Sequence, residues 1–320
     1  MVHNLMFTTS ILLCLSSFIG MIGNLIVLFA FISNAIRNKV LQPLDRIIIN
    51  MALVNFLLCC YKIIPGLLVY TSTKVVGELG CRILLYSYHT LRLVSIWSVE
   101  NLSFLHLIKI RRPNLQWSKF IHRHQGRYVN STLAGCWIFS ILLHISYLQY
   151  ERTVARDNET IIFLTTSTCL GCAESFAMKL TTYMSITVDL ILVVLVIVLN
   201  GFIIDLLYKH NRKVEVTTSI ASSCWNKHTA QATKVLLSLL CIYVVCWISN
   251  DMVWIAIMSG YIKSNFENSI LNELYAILSS VYYSASSYVV VFGYRKVREY
   301  LIESCWCCRY KRSTMVQSMS

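Results

Sequence analysis

The chain has 320 residues, 56% hydrophobic and only 13% charged, with a formal net charge of +13 and a positive mean hydropathy. Soluble domains run near a quarter charged, so composition excludes that class and points to a membrane protein. The apolar runs are continuous and far longer than the alternating segments of about ten residues that build membrane barrels, and helices are the remaining way to satisfy a backbone in lipid.

A crossing helix needs about 20 predominantly apolar residues. Seven stretches meet that length, at about 6–33, 44–70, 81–110, 128–150, 179–208, 230–260 and 270–293, with a tail over 294–320. They predict an all-α membrane protein, a seven-transmembrane helix bundle forming a single domain over 1–320. The first stretch opens MVHNLMF without the basic segment of a cleavable signal peptide, and is expected to stay as a signal anchor. Pro65 falls inside the second stretch, and Pro113, after Lys109, Arg111 and Arg112, ends the third. From Cys81 to Ile110 that third helix would run about 45 Å, so it must tilt or project beyond the bilayer. No inverted duplication of the kind many transporters carry is visible. After the seventh stretch, YRKVREYLIES predicts a short amphipathic helix.

Orientation follows from the basic residues of the connecting segments. One set of connections and the carboxyl-terminal tail carry twenty Lys and Arg, among them Arg37, Arg46, Arg112, Arg127, Lys213 and Lys296; the other set carries six, including Lys74, Arg152 and Lys263. The amino terminus is therefore expected outside and the tail inside. The positive charge becomes a cytosolic property, suited to anionic lipid of the bilayer's inner leaflet or an acidic protein partner, and nucleic acid is not implied.

Topology sorts the remaining motifs. Of three Asn-x-Ser/Thr sequons, Asn101 falls within a helix and Asn130 on the cytosolic side, leaving Asn158 in the second outer loop as the usable glycosylation site. Of thirteen cysteines, only Cys81, Cys169 and Cys172 face the oxidising side. A bridge pinning the second outer loop over the mouth of the third helix would join Cys81 to Cys169, with Cys172 as the alternative partner. Cys305, Cys307 and Cys308 follow the amphipathic stretch and are candidates for palmitoylation. The pairs 169/172 and 305/308 lie on opposite faces and cannot share a metal ion. No metal or cofactor is expected, and no catalytic motif is present, so an enzyme is not indicated.

Charges inside the spans carry the function. Arg92 lies about 16 Å below Cys81, near mid-bilayer, where a charge costs at least about 2.5 kcal/mol and normally faces the bundle interior with a partner. Lys62, Arg92, Asp189, Asp251 and Glu273 come from five helices and fall in the outer half. They predict either a polar ligand cavity open to the outside or mutual salt bridges that lock the bundle. Lys62 and Glu273 lie close enough to the interface for their side chains to reach water. Glu100 stands alone lower down, near Phe104, and is either paired across the bundle or neutral. Trp97, Trp247 and Trp254 are aromatic candidates for a pocket wall, though rings at helical spacing are ordinarily packing.

Several residues resemble those of a known class. Gly23-Asn24, Cys81, Trp137 and Cys246-Trp247 are similar to rhodopsin-like G-protein-coupled receptors. Pro43-Leu-Asp45, Asn50-Met-Ala-Leu-Val-Asn55, Cys81-Arg-Ile-Leu-Leu-Tyr86, Arg92-Leu-Val-Ser95, Leu102-Ser103, Pro113, Ser286-Ser-Tyr-Val-Val and Phe292-Gly-Tyr-Arg-Lys-Val-Arg298 resemble vomeronasal type 1 receptors and their fish olfactory relatives. The likeness covers the first three helices and the seventh well. The chain departs from the broad class in four places. Leu105-His106-Leu107 stands where an acidic-Arg-Tyr triplet is usual, Asn55 where an Asp often binds sodium, Ile248-Ser249 after Trp247 where the sixth helix has its customary proline, and Ser287 where one is common in the seventh, which implies a stiffer seventh helix.

The resemblance implies a chemosensory receptor in the plasma membrane of a sensory neuron, with a small odorant or pheromone and a heterotrimeric G protein as partners. It singles out Trp247 beside the five charges as a ligand contact, and His106, Arg111 and Arg112 as G-protein contacts. A bitter taste receptor is the nearest rival, since LSFLHLIKI is similar to that family, which usually lacks a cysteine at the position of Cys81. A channel or transporter ranks lower, because the inner half offers only Glu100 and the asparagines of the second helix for a polar path. The sequon sorting has a direct check. Asn158→Gln should abolish the glycosidase-sensitive mobility shift of the expressed protein, while Asn101→Gln and Asn130→Gln leave it; a shift that survives Asn158→Gln refutes the assigned topology.

Overall fold

Among the described residues the outward face is rich in large apolar side chains, and polar side chains are buried within the apolar core. Leu15, Phe18, Phe29, Ile138, Ile191, Val194 and Phe202 point outward, while Ser17, Asn24, Asn55, Ser95, Ser98 and Asn101 are buried. That inversion is what lipid demands, because a hydroxyl or amide facing hydrocarbon has no partner, and inside the bundle it finds one.

A computed structural model describes residues 2–38, 41–71, 78–110, 120–121, 123–149, 176–216, 238, 241–249, 251–252, 255 and 265–304. The elements are α1 (Val2–Asn38), α2 (Pro43–Thr71), α3 (Glu78–Ile110), α4 (Gln125–Leu143), a 3-10 turn (Ile145–Gln149) and α5 (Phe176–Val216). Then follow α6 (described over 241–249), α7 (Asn265–Gly293) and α8 (Arg295–Ser304). No strand occurs among the described residues. Among the described residues, three stretches, Ile11–Arg37, Pro43–Ile63 and Leu180–Leu206, are long and apolar enough to cross a membrane, and Ile277–Gly293 is a shorter apolar helix. The helix α3 carries His89, Arg92, Ser95, Ser98, Glu100 and Asn101 among its apolar residues.

Helix ends differ from the apolar windows where polar turns extend or cut them. The helix α1 runs past 33 to Asn38, α5 past 208 to Val216, and α7 starts at Asn265. The fourth helix stops short of the expected 150: it ends at Leu143, and the chain tightens into the 3-10 turn after His144. The helix α2 continues through Pro65 to Thr71.

Packing sets α1 against α2 and α7, and α3 against α2, α4 and α5, while α8 lies back on α1. Lipid supplies no hydrophobic drive between helices, so close approach of small residues and hydroxyl bonds must hold them. The α1–α7 seam shows this. Ser16 and Ser17 meet the Ser280 hydroxyl at 2.6 and 2.9 Å, and Ser284 Oγ donates to the Ser16 carbonyl at 2.5 Å. Asn24 donates to the carbonyls of Gly20 and Tyr283. Glycine is required here because a Cβ on Gly20 would sit 2.5 Å from Ser284 Oγ and 2.7 Å from Cys59 Sγ, and one on Gly23 would strike the Ser287 hydroxyl. Ser287 itself donates to the Ser284 carbonyl at 2.7 Å within an unbroken α7.

The opposite end is tied by polar contacts. Lys296 of α8 donates to Gln42 Oε1 at 2.5 Å and lies 3.9 Å from Asp45, whose other oxygen accepts from the Gln42 amide. Val297 is buried and Tyr300 meets Phe31 edge-on, so α8 presents an apolar face to α1. Arg46 donates to Asn130 at 2.9 Å, joining α2 to α4. Cys305, Cys307 and Cys308 lie outside the described residues.

The seam predicts a contrast among glycines. Gly20→Ala overpacks the α1–α7 contact at a cost of about 1–3 kcal/mol and should lower the melting temperature of the detergent-purified protein by several degrees. Gly135→Ala and Gly201→Ala, with open space around the added carbon, should leave it level or raise it, since alanine favours a helix by about 1 kcal/mol. Equal effects at the three positions would refute the seam.

Candidate functional site

The inward face of α3 repeats every three to four residues, as a helix must, and reads Tyr88, His89, Arg92, Ser95, Ser98. Each rung meets another helix. Ser95 donates to Asn55 of α2 at 2.7 Å, and Asn55 donates on to Ser286 of α7 at 3.1 Å. One turn further, Asn50 of α2 donates to Ser98 at 2.9 Å and accepts from Trp137 Nε1 of α4 at 3.0 Å. Further still, Asn200 of α5 donates to Ser103 at 3.0 Å. These bonds hold α3 at the centre and fix the rotation that aims Arg92 inward.

Arg92 is the charged rung. Its Nη2 lies 2.6 Å from Asp251 Oδ1 and 2.9 Å from Asp189 Oδ2, so one guanidinium nitrogen bridges two carboxylates from α5 and the sixth-helix segment. The guanidinium carbon stands 4.6 Å from the centre of the Trp247 ring, a cation–π contact that strengthens when water is excluded. Trp247 leads an aromatic group with Tyr243, Tyr282 and Tyr283, their ring centres 5.5–6.3 Å apart and steeply inclined. Arg92, Asp189 and Asp251 are 3%, 1% and 1% exposed. The charges thus meet one another and are buried, the salt-bridged arrangement of the two that the sequence allowed.

Of the other predicted contacts, Lys62 is also buried, with Nζ 4.6 Å from the Tyr88 ring centre. It turns inward and does not reach for water as its depth suggested. Glu273 lies on α7, its side chain outside the described residues. Glu100 is partly buried and makes no ion pair among the described residues; Tyr128, which packs on Phe104, lies within its electrostatic reach. His106 is buried at 8% exposure. Cys81 lies on α3 with its side chain outside the description, and Cys169, Cys172, Asn158, Arg111, Arg112 and Trp254 fall outside the described residues.

A second polar group escaped the sequence reading. His89, one turn from Arg92, stacks on Tyr147 at 4.6 Å with nearly parallel rings, and His144 lies 5.8 Å away. His144 Nδ1 donates to the Ser140 carbonyl at 2.9 Å, which leaves Nε2 to accept from Ser185 of α5 at 3.2 Å. Tyr147 shares a hydrogen bond with Thr182. The 3-10 turn that cuts α4 short is what swings Tyr147 inward. The separation of His89 from Arg92 by one helical turn was the available signal. No group of three side chains suited to a metal occurs among the described residues.

The arrangement does not present a nucleophile beside a base. It presents a buried, exchangeable set of ion pairs linking three helices, which suits recognition and conformational coupling.

Comparison with known proteins agrees. The vomeronasal organ pheromone receptor family matches residues 7–302. Olfactory receptor class A-like protein 1 of Danio rerio is 22% identical over 290 residues, 89% of this chain and 88% of its own. Vomeronasal type-1 receptor 1 of Gorilla gorilla gorilla is 20% identical over 92% of this chain and 81% of its own, and vomeronasal type-1 receptor 3 of Homo sapiens is 23% identical over 74% and 78%. These relatives are receptors and not enzymes. With the match spanning nearly the whole length, this chain belongs to the vomeronasal organ pheromone receptor family, a membrane family.

Proposed function

We propose that the protein is a seven-span chemosensory receptor of the plasma membrane, amino terminus outside, that binds a small odorant or pheromone in the outer half of the bundle and activates a heterotrimeric G protein. The observation that carries this reading is the bridge from Arg92 to Asp189 and Asp251. A ligand shifts a conformational equilibrium only by binding one state better than the other. Here a charged or hydrogen-bonding molecule that competes for any of the three groups loosens α5 or α6 from α3, and the two bundle states acquire different affinities. Trp247 forms one wall of this site, and Lys62 and Glu273 line its approach. A bridge from Cys81 to the second outer loop, with Asn158 glycosylated, covers it. The opposite end, with His106, Arg111 and Arg112, receives the G protein, and acylation of Cys305, Cys307 and Cys308 holds α8 at the membrane.

The test is calcium imaging of cells that express the receptor with a promiscuous G protein and are challenged in turn with amines, carboxylates and steroid-like odorants. Arg92→Lys keeps the charge but not the planar fork. It should move the dose-response curve of any active compound by about tenfold or more, the worth of one charge-assisted hydrogen bond, with surface labelling retained. Superimposable curves would refute the site.

The burial of the triad favours a second reading, a purely structural lock. Replacing a whole buried ionic group by apolar residues is often neutral or stabilising, whereas removing one partner costs about 3–5 kcal/mol. Arg92→Met alone should therefore lower the melting temperature sharply, and Arg92→Met with Asp189→Leu and Asp251→Leu should restore it. The restored triple variant should be deaf to every ligand if the site recognises them; normal responses would leave the lock as its whole role.

A further inference from the structure

The triad has an unequal charge inventory. Two carboxylates face one guanidinium, and a single nitrogen of that guanidinium serves both. Within the triad one negative charge is left to be balanced, by a proton on one of the acids or by a cation brought from outside.

The hydrogen-bond inventory points the same way. Asp189 Oδ1, Asp251 Oδ2 and, despite its 2.9 Å approach to Arg92, Asp189 Oδ2 are buried and accept no hydrogen bond among the described residues. The Tyr243 hydroxyl is fully buried, also without a partner among the described residues, and its ring centre stands 6.3 Å from that of Trp247, over which Arg92 lies. Three side chains with open acceptor oxygens, Asp189, Asp251 and Tyr243, thus belong to the same cluster as the charge deficit.

We infer that the ligand class of this site is a protonated primary amine carried on an apolar frame, its ammonium group taking the place opposite Asp189, Asp251 and Tyr243. An ammonium group has three N–H donors and no acceptor, which suits three side chains that offer only open acceptor oxygens to it. It brings the positive charge that the carboxylates lack, and ring faces favour a desolvated cation. Exchange is cheap in this direction, because an ammonium that draws one carboxylate away leaves Arg92 paired with the other. An anionic ligand would do the opposite: it would strip Arg92 from an aspartate, leave that aspartate buried without a partner, and add a third negative charge where two already compete. This inference rests on the outer-half binding site proposed above and adds the sign and donor count of what it binds.

The experiment uses the full-length receptor in lipid nanodiscs and four probes on one frame: phenethylamine, its trimethylammonium analogue, 3-phenylpropionate and 2-phenylethanol. Thermal stabilisation and calcium responses in cells are read side by side. Phenethylamine should stabilise the receptor and should bind at least tenfold more tightly than the trimethylammonium analogue, which keeps the charge but has no N–H. The acid and the alcohol should have no effect. Asp251→Asn and Asp189→Asn, which keep size and shape, should each weaken phenethylamine by tenfold or more, and Tyr243→Phe by a few-fold. Stabilisation by 3-phenylpropionate, an amine effect unchanged in both Asn variants, or no amine effect at all would overturn the inference. The two claims fail differently. Carboxylate responses that vanish in Arg92→Lys would refute the charge sign and leave the binding site standing, whereas responses of any kind indifferent to Arg92→Lys would remove the site beneath it.

Discussion

A guanidinium placed among helices in lipid must be neutralised where it stands, and this requirement organises the bundle. Arg92 satisfies it with two carboxylates drawn from different helices and with the face of Trp247. A charge near mid-membrane is tolerated only when it faces inward and is paired. The rotation of α3, the register of α5 against it and the position of Asp251 are therefore bound together. None of the three can turn without exposing an ion to hydrocarbon.

The rest of the interior repeats the arrangement with neutral groups. Asn50, Asn55 and Asn200 each span from a neighbouring helix to a serine on α3. Each such bond is worth little alone, about 1 kcal/mol or less in membrane bundles, but together they define one rotational setting for α3 and so aim Arg92. The charged triad and the neutral rungs therefore share one role in setting how the helices pack around α3.

Much of this was visible in the sequence because the background is so apolar. Arg92, Asp189 and Asp251 stand out in runs of Leu, Ile and Val, and the cost of burying them says they must find partners. Depth along a helix, however, does not give rotation about its axis. Lys62 looked able to reach water and turned instead onto Tyr88. His89, His144 and Tyr147 are not marked out by the sequence, because the turn after Leu143 that assembles them leaves no trace in an apolar window. The same windows miss the polar last turns of α5. The sequence leaves open whether these charges line a cavity or lock the bundle, and in the structure they are buried in contact: residue type reveals that charges attract, not whether water stands between them.

The serine and glycine seam between α1 and α7 carries one more implication. Backbones that approach this closely, cross-stitched by hydroxyls from Ser16 to Ser284, form a stiff stave on one side of the barrel. Across the axis, α5 is held to α3 by ions and single amide bonds that can trade partners. The two sides of the bundle are thus held by different chemistry, close backbone approach with hydroxyl bonds on one and an ion pair with a single amide bond on the other.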